Sequence, residues 1–356
     1  MDYSRTIFLT GFPGFIAERL VERMASADRQ FFLLIQPQFL EKAKETIESI
    51  AERTGTPAEN FALIEGDIAR PDLGMTLEDL DAVRRETTDV FHLAAIYDLA
   101  VAKEPANTVN VEGTRNIDQL VSDLKLLRRY NYISTCYVAG RRTGHIREDE
   151  LEHSAGFRNF YEESKYRAEL QVERLKDRIP VTIFRPSVVV GDSRTGETAK
   201  YDGIYYLIRY LRKAPGLLRI LNVGNSLVKL NLVPVDYVVD GIAALAFDDE
   251  AEGKTIALAD PEPLTTKELF DTLAENLSGK RSVFGPPAAV MEKFLLLPFS
   301  PPMTGLPLSA VPYFFIAQTY GTDLAVRLLA KHGISCPNFR DYAGNLLKFV
   351  EKHPEL

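Results

Sequence analysis

The sequence predicts an α/β fold: a doubly wound parallel sheet covered by helices, with a smaller, interleaved C-terminal lobe. Three observations carry this. Short runs rich in Val, Ile, Leu and Phe alternate with longer amphipathic segments through the first half of the chain. A glycine-containing turn joins the first such run to the first amphipathic segment. Beyond Arg185 the alternation breaks, and proline becomes frequent after Asp260.

Strands are predicted at residues 7–10, 31–36, 61–65, 90–93, 130–135 and 181–185, each an apolar run of the kind covered on both faces. Between them, Ile16, Leu20 and Met24 share one helical face, and residues 40–53 place Ala43, Ile47 and Ile50 on another among alternating Glu and Lys. Residues 116–127 and 160–175 follow the same spacing. Further on, 191–200 reads as a polar loop, 201–211 as a helix, 230–247 as a strand, a proline turn and a helix, and 255–258 as one more strand. Pro286, Pro287, Pro298, Pro301, Pro302 and Pro307 crowd one irregular region. The expected division gives residues 1–190 to the sheet, with 230–259 returning to it. Residues 191–229 and 260–356 then form the lobe and C-terminal helices, and no internal repeat is present.

The 356 residues carry 42 Lys+Arg against 50 Asp+Glu, a net charge of −8. With 46% apolar and 26% charged residues, the composition excludes global disorder and a fibrous class. An acidic chain without a Lys/Arg tract makes a poor nucleic-acid or anionic-membrane surface, so no nucleic-acid partner is expected. Two cysteines, Cys136 and Cys336, make no disulfide framework, and the five histidines lack ligand spacing, so no metal site is expected. There is no signal-peptide pattern and no run of 18 apolar residues. The best apolar stretch, centred on 295–297, is flanked by Lys293 and Pro298. A chain with no transmembrane segment and a cytoplasmic location is the expectation.

Thr10, Gly11, Phe12, Pro13, Gly14, Phe15 and Ile16 lead from the first strand into a helix. Gly11 permits a tight turn, Gly14 lets backbone N–H groups approach a pyrophosphate, and Ala17 is small enough for the helix to pack on the strand. A dinucleotide site is expected there, the alternative being a plain tight connection. At the end of the second strand, an acidic residue would select NAD through the ribose hydroxyls. Gln36 lacks the carboxylate that would repel a 2′-phosphate, which favours NADP and leaves NAD open. Lys42 is read mainly as a solvated helix position. In the segment Gly66, Asp67, Ile68, the Asp67 carboxylate suits either an adenine amino group or an ordinary cap.

Tyr161 and Lys165 stand four apart on one predicted helix face. An ammonium near a phenol favours phenolate, which predicts a lowered tyrosine pKa and a general acid/base usable near neutrality. Ser134 and Thr135 end the fifth strand, at the edge where open α/β sheets bind ligands. A hydroxyl there can hold a carbonyl oxygen and stabilise alkoxide charge. Cys136 has no histidine partner pattern and reads as a buried small residue.

These residues, in this order, carry a resemblance. The chain resembles the extended short-chain dehydrogenase/reductases, and among them the thioester-reductase and fatty acyl-CoA-reductase-like branch. The matching stretches are TGFPGFIA from Thr10, GDIARPDLG from Gly66, HLAA from His92, NVEGT from Asn110, ISTCYVAG from Ile133, YEESK from Tyr161, FRPSVVVGDSRTG from Phe184 and LVPVDYV from Leu232. They cover about two-thirds of the chain, and PDLG with RPSVVVGDSRTG points to the branch. The resemblance implies a Rossmann-type sheet and hydride transfer from a nicotinamide cofactor. It implies that Tyr161 exchanges the proton with the substrate oxygen, that Lys165 holds the nicotinamide ribose, and that Thr135, rather than Ser134, is the catalytic hydroxyl. Asn110 would tie the fourth helix to a proton-relay water, Pro186, Ser187 and Val188 would meet the carboxamide, and Ala94 and Ala95 would line the adenosine side. Ala17 and Gln36 depart from the family's usual Gly and Arg, and the second departure leaves NADP selectivity open.

The expected activity is NAD(P)H-dependent reduction of a small lipophilic carbonyl: an acyl thioester, aldehyde or ketone, free, CoA-bound or carried by a partner protein. No adenylation or carrier domain precedes the reductase, so delivery from a carrier arm of the same chain is not expected. The substrate lobe would use Tyr201, Tyr205, Tyr206, Leu207 and Tyr210 with the apolar stretches 290–299 and 306–315, unless these simply pack that lobe. The same region could meet a membrane surface or a second subunit. A nucleotide-sugar epimerase or dehydratase is the alternative within the superfamily. Cys136 and Tyr137 stand where a dehydratase carries acids. A non-catalytic NAD(P)-sensing regulator is the remaining alternative, disfavoured by the retained Tyr161, Lys165 and Thr135.

Overall fold

The computed structural model describes residues 3–213, 222, 224–282, 285–301 and 306–355. Parts of the expected lobe, residues 214–221, 223, 283–284, 302–305 (with Pro302) and 356, lie outside the described residues. The strands are β1 (Arg5–Thr10), β2 (Arg29–Ile35), β3 (Phe61–Glu65), β4 (Asp89–His92), β5 (Arg129–Ile133), β6 (Gly144–Ile146), β7 (Val181–Pro186), β8 (Val188–Val190), β9 (Leu232–Pro234), β10 (Thr255–Leu258) and β11 (Gln318–Tyr320). Seven of them form one parallel sheet in the order β10-β7-β5-β4-β1-β2-β3. The doubly wound α/β architecture expected from the sequence is therefore the one that forms. The chain builds outward from β1 in one direction to β3, then crosses to β4 and builds in the other. The crevice at the carboxyl ends of β1 and β4 is the topological switch point, where such sheets bind ligands.

The helices of the first half are α1 (Phe15–Met24), α2 (Leu40–Thr54), α3 (Leu77–Glu86), α4 (Lys103–Ala106), α5 (Gly113–Asp123) and α6 (Phe160–Glu173). Alternation along β1 decides the two layers: Ile7 and Leu9 face one side, Phe8 the other. On the first side Leu20 and Val21 of α1, Ile47 of α2 and Ile242 of the helix Val235–Leu245 close the core. On the second, Leu80, Ile117, Leu120 and Val172 of α3, α5 and α6 do so. A third core joins the helices Ile204–Lys213, Thr266–Ser278 and Phe339–Lys352. Two small parallel ladders, β6 with β11 and β8 with β9, form outside the main sheet and pair later segments with earlier ones. Among the described residues, no helix is long and apolar enough to cross a membrane.

Three strands end before the predicted point. β2 stops at Ile35, β4 at His92 and β5 at Ile133. Gln36, Leu93, Ser134 and Thr135 leave the ladder because they border the ligand cavity instead. The helix predicted at 116–127 runs from Gly113 to Asp123, continuing a π-helical segment, Asn107–Glu112. The predicted helix 201–211 begins later, at Ile204.

Candidate active site

The site begins where β1 ends. Gly11 has φ +93°, and a Cβ there would lie 2.8 Å from the Ala94 nitrogen, so the turn against β4 requires glycine. The Gly14 N–H donates to the Gly11 carbonyl (2.8 Å), and a Cβ on Gly14 would sit 2.6 Å from that oxygen. Gly14 N-caps α1 with no side-chain hydrogen bond, which leaves first-turn N–H groups available to an anion. Behind the turn, the His92 ring nitrogens meet Thr10 Oγ1 (2.8 Å) and Thr114 Oγ1 (3.1 Å). Burial pulls His92 down to about 3, so it is a neutral brace.

A cavity of about 800 Å³ runs from this turn along the carboxyl ends of the strands. Thr10, Gly11, Phe12, Pro13, Gly14, Phe15, Ile16, Gln36, Asp67, Ile68, Ala94, Ala95, Thr135, Tyr161, Lys165, Pro186, Ser187 and Val188 all border it. Asn110 does not. Its Oδ1 accepts from the Ile96 N–H (2.8 Å), and its Nδ2 donates to the Ile96 carbonyl (3.0 Å) and to Ser164 Oγ (2.9 Å). Its side chain therefore clamps the loop after β4 to α6. Asp67 accepts from the Ala69 N–H (2.9 Å), the turn role, while also facing the cavity. Lys42, read from sequence as a solvated position, is exposed but also borders the cavity beside Gln36. Ser187 Oγ is buried on the wall without a hydrogen-bond partner among the described residues, an orphan that a ligand's polar group would satisfy. A glycine cradle, an uncapped helix start and this orphan together fit a dinucleotide.

At the other end of the cavity, Asn159 N-caps α6 by accepting from the Glu162 N–H (2.9 Å), and α6 presents Tyr161 and Lys165 on one face. The Tyr161 phenol and the Thr135 hydroxyl both border this end of the cavity, and Thr135 Oγ1 accepts from the Tyr137 N–H (3.2 Å). Ser134 Oγ instead donates to Glu169, which turns it away from Tyr161 and leaves Thr135 as the strand-end hydroxyl without a carboxylate partner among the described residues. The predicted lowering of the Tyr161 pKa is corrected by the structure. Burial pushes the phenol up to about 12, with Thr135 pulling it partly back and Glu162 pushing it up. Lys165 donates to the Tyr132 hydroxyl (3.0 Å) and the Ile133 carbonyl (2.9 Å), and burial pulls it down to about 8 against the attraction of Glu169. Desolvation outweighs the neighbouring charge.

Sequence reasoning missed the support beneath this set. Arg185, within β7, donates to Glu169 Oε1 through Nε (2.8 Å) and Nη2 (2.5 Å), and to the Glu148 and Glu150 carbonyls through Nη1. Two signals were present: an arginine inside an apolar strand, and a glutamate continuing the Tyr161–Lys165 spacing by one more turn. Cys136 is the buried small residue expected, with its thiol near the Arg185 carbonyl (3.2 Å) and pushed up by burial.

The half of the cavity beyond Tyr161 is walled by Tyr137, Tyr206, Leu230, Ala310, Tyr313 and Phe314. The expected stretch 306–315 reaches it through Ala310, Tyr313 and Phe314, whereas of Tyr201, Tyr205, Tyr206, Leu207 and Tyr210, Tyr206 alone borders it among the described residues. Tyr201 and Tyr205 are buried in the third core, and Leu207 and Tyr210 pack against that core. The stretch 290–299 does not border the cavity. Its Val290, Leu296, Leu297 and Phe299 are exposed, while Leu295 packs with Leu306, Ala310 and Val311. Among the described residues no cluster of metal ligands occurs.

Residues 9–242 match the Male sterility protein family, an NAD-binding family. Over 282 residues the chain is 25% identical to the fatty acyl-CoA reductase wat of Drosophila melanogaster, an alignment covering 68% of this chain and 54% of that longer protein. Its structure is similar to the terminal R domain of the myxalamid PKS-NRPS biosynthetic pathway (TM-score 0.82, 25% identity, 99% of this chain and 92% of that one). The fold is shared more loosely with the UDP-glucuronic acid 4-epimerase of Bacillus cereus (TM-score 0.66, 21% identity, 98% and 99%). The chain thus belongs to the Male sterility protein family, on the thioester-reductase-like branch of the extended short-chain dehydrogenase/reductases.

Proposed function

We propose that the protein is an NADPH-dependent reductase of lipophilic carbonyls, with an acyl thioester as its principal substrate and aldehydes or ketones as simpler ones. The observation that carries this is that Thr135, Tyr161 and Lys165 border one cavity, which continues into an apolar, aromatic-walled half. The dinucleotide, when bound, supplies the hydride. Tyr161, neutral because burial holds its phenol near 12, gives its proton to the carbonyl oxygen, and Thr135 holds that oxygen in place. Lys165 is placed to hold the nicotinamide ribose, and Pro186, Ser187 and Val188 to meet the carboxamide. Gly11, Gly14 and the start of α1 hold the pyrophosphate. Ala94, Ala95, Asp67 and Ile68 border the adenosine, and Asn110 positions the Ile96 loop and Ser164. Gln36 with the Lys42 ammonium favours a 2′-phosphate, hence NADP. The lobe formed by 191–229 and 260–356 supplies the substrate wall.

The test is a panel of long-chain acyl-CoAs, aldehydes, ketones and UDP-sugars with NADPH or NADH, followed by nicotinamide absorbance. Consumption of NADPH with lipophilic carbonyls alone is expected. Tyr161→Phe should abolish turnover while cofactor affinity stays as in the parent. Turnover of UDP-sugars without added cofactor would overturn the assignment.

A further inference from the structure

A residue of the C-terminal segment completes the first turn of the catalytic helix. Tyr313, in the short 3-10 turn Val311–Phe314, is buried, and its hydroxyl donates to Glu162 Oε1 (2.6 Å) and accepts from Asn159 Nδ2 (2.7 Å). Asn159 is the N-cap of α6, and Glu162 directly follows Tyr161. The Tyr313 ring lies 4.6 Å, centroid to centroid, from Tyr137, and both rings border the substrate half of the cavity.

Glu162 is an unusual neighbour for a proton donor. Its side chain is fully buried, and its other partners are the Arg158 N–H (2.9 Å) and the Arg158 guanidinium (3.4 Å). A carboxylate removed from water needs every donor it can reach. One of those donors comes from a segment 151 residues further along the chain. Asn159 and Glu162, which flank Tyr161 in the first turn of α6, are therefore fully hydrogen-bonded only when the C-terminal segment is docked with the Tyr313 ring on the cavity wall.

We propose that Tyr313 is a positioning residue for the reduction: the acyl body of the substrate packs against its ring, and its hydroxyl passes that docking to Tyr161 through Glu162 and Asn159. This deepens the reductase function proposed above and rests on it. Tyr313→Phe keeps the ring and deletes only the hydroxyl. It should lower kcat by roughly tenfold, the scale of one hydrogen bond to a charged group, with KM for the acyl substrate nearly unchanged. Tyr313→Ala should also raise that KM, because the wall is lost. In the double variant Tyr313→Phe/Glu162→Gln the loss should not exceed that of the worse single variant, since the two act as one unit. Parental kcat in Tyr313→Phe, or losses that multiply in the double variant, would overturn the proposal. If the parent protein reduces no carbonyl in the panel, the reductase function falls, and backbone hydrogen exchange over 159–165 decides the coupling by itself. Faster exchange there in Tyr313→Phe then supports it, and exchange at the parental rate overturns it.

Discussion

Replacing Glu169 by glutamine probes the buried pair that underlies the catalytic set. Glu169 takes Arg185 on one oxygen, at 2.8 and 2.5 Å, and the Ser134 hydroxyl on the other. The two side chains are 0% and 5% exposed, so neither charge has water to fall back on. Removing one partner of such a pair costs about 3–5 kcal/mol, because the other charge stays desolvated. Arg185 retains the Glu148 and Glu150 carbonyls at 3.1 and 3.0 Å, which puts Glu169→Gln at the low end, about 3 kcal/mol. In thermal unfolding of a chain this long this is a fall in Tm of roughly 4 °C. Glu22→Gln is the control: its carboxylate meets Arg53 at the surface, where less than about 1 kcal/mol is expected. There is also a chemical consequence. Glu169 opposes the burial that pulls Lys165 down to about 8, so without it the Lys165 ammonium loses its proton at lower pH. The alkaline limb of the pH–activity profile should move toward acid. A stability loss under about 1 kcal/mol together with an unmoved alkaline limb would refute the reasoning.

Two further predictions concern separate parts of the molecule. Burial raises Asp118 from 3.8 to about 7, with the Tyr130 hydroxyl (3.0 Å) opposing it. The folded pKa thus lies above the unfolded one, so stability present at acid pH is lost as pH rises through about 7. Asp118→Asn should therefore gain on the parent progressively from about pH 4 to about pH 7, by at most roughly 4 kcal/mol for three units at 1.36 each. A pH-independent offset in urea unfolding would contradict this. At the adenosine end, Lys42→Glu should raise the KM for NADPH by roughly tenfold or more and leave that for NADH nearly unchanged, because a charge-assisted phosphate contact becomes a repulsion. An equal change for both cofactors would remove Lys42 from phosphate recognition.

The central sheet is legible because its strands are covered on both faces, which demands near-continuous apolar runs such as 31–35. The misplacements at β2, β4 and β5 share one direction and one cause. Gln36, Leu93, Ser134 and Thr135 extend their runs in sequence, yet pairing stops where ligand space opens at the switch point, and a local window carries no sign of that space. The same limit explains Tyr161. Helical spacing correctly puts it on one face with Lys165, but its acidity depends on how much water the rest of the chain removes. Charge attraction is visible at four residues' separation; desolvation by β5 and the loop after it is not.

The residues that hold the site from behind left unequal traces. Glu169 repeats the Tyr161–Lys165 spacing one turn on, and Arg185 stands inside an otherwise apolar strand. A buried strand tolerates such a charge only with a partner, and Glu169, the acid one turn beyond Lys165 on the same face of α6, is that partner. That inference was available from the sequence without any coordinates. Tyr132 and Tyr313 offered nothing comparable, since a tyrosine in an apolar run needs no partner to be stable there and its hydroxyl contacts are set by tertiary packing alone. Charged residues in apolar runs therefore predict their own partners, whereas buried hydroxyls such as those of Tyr132 and Tyr313 do not.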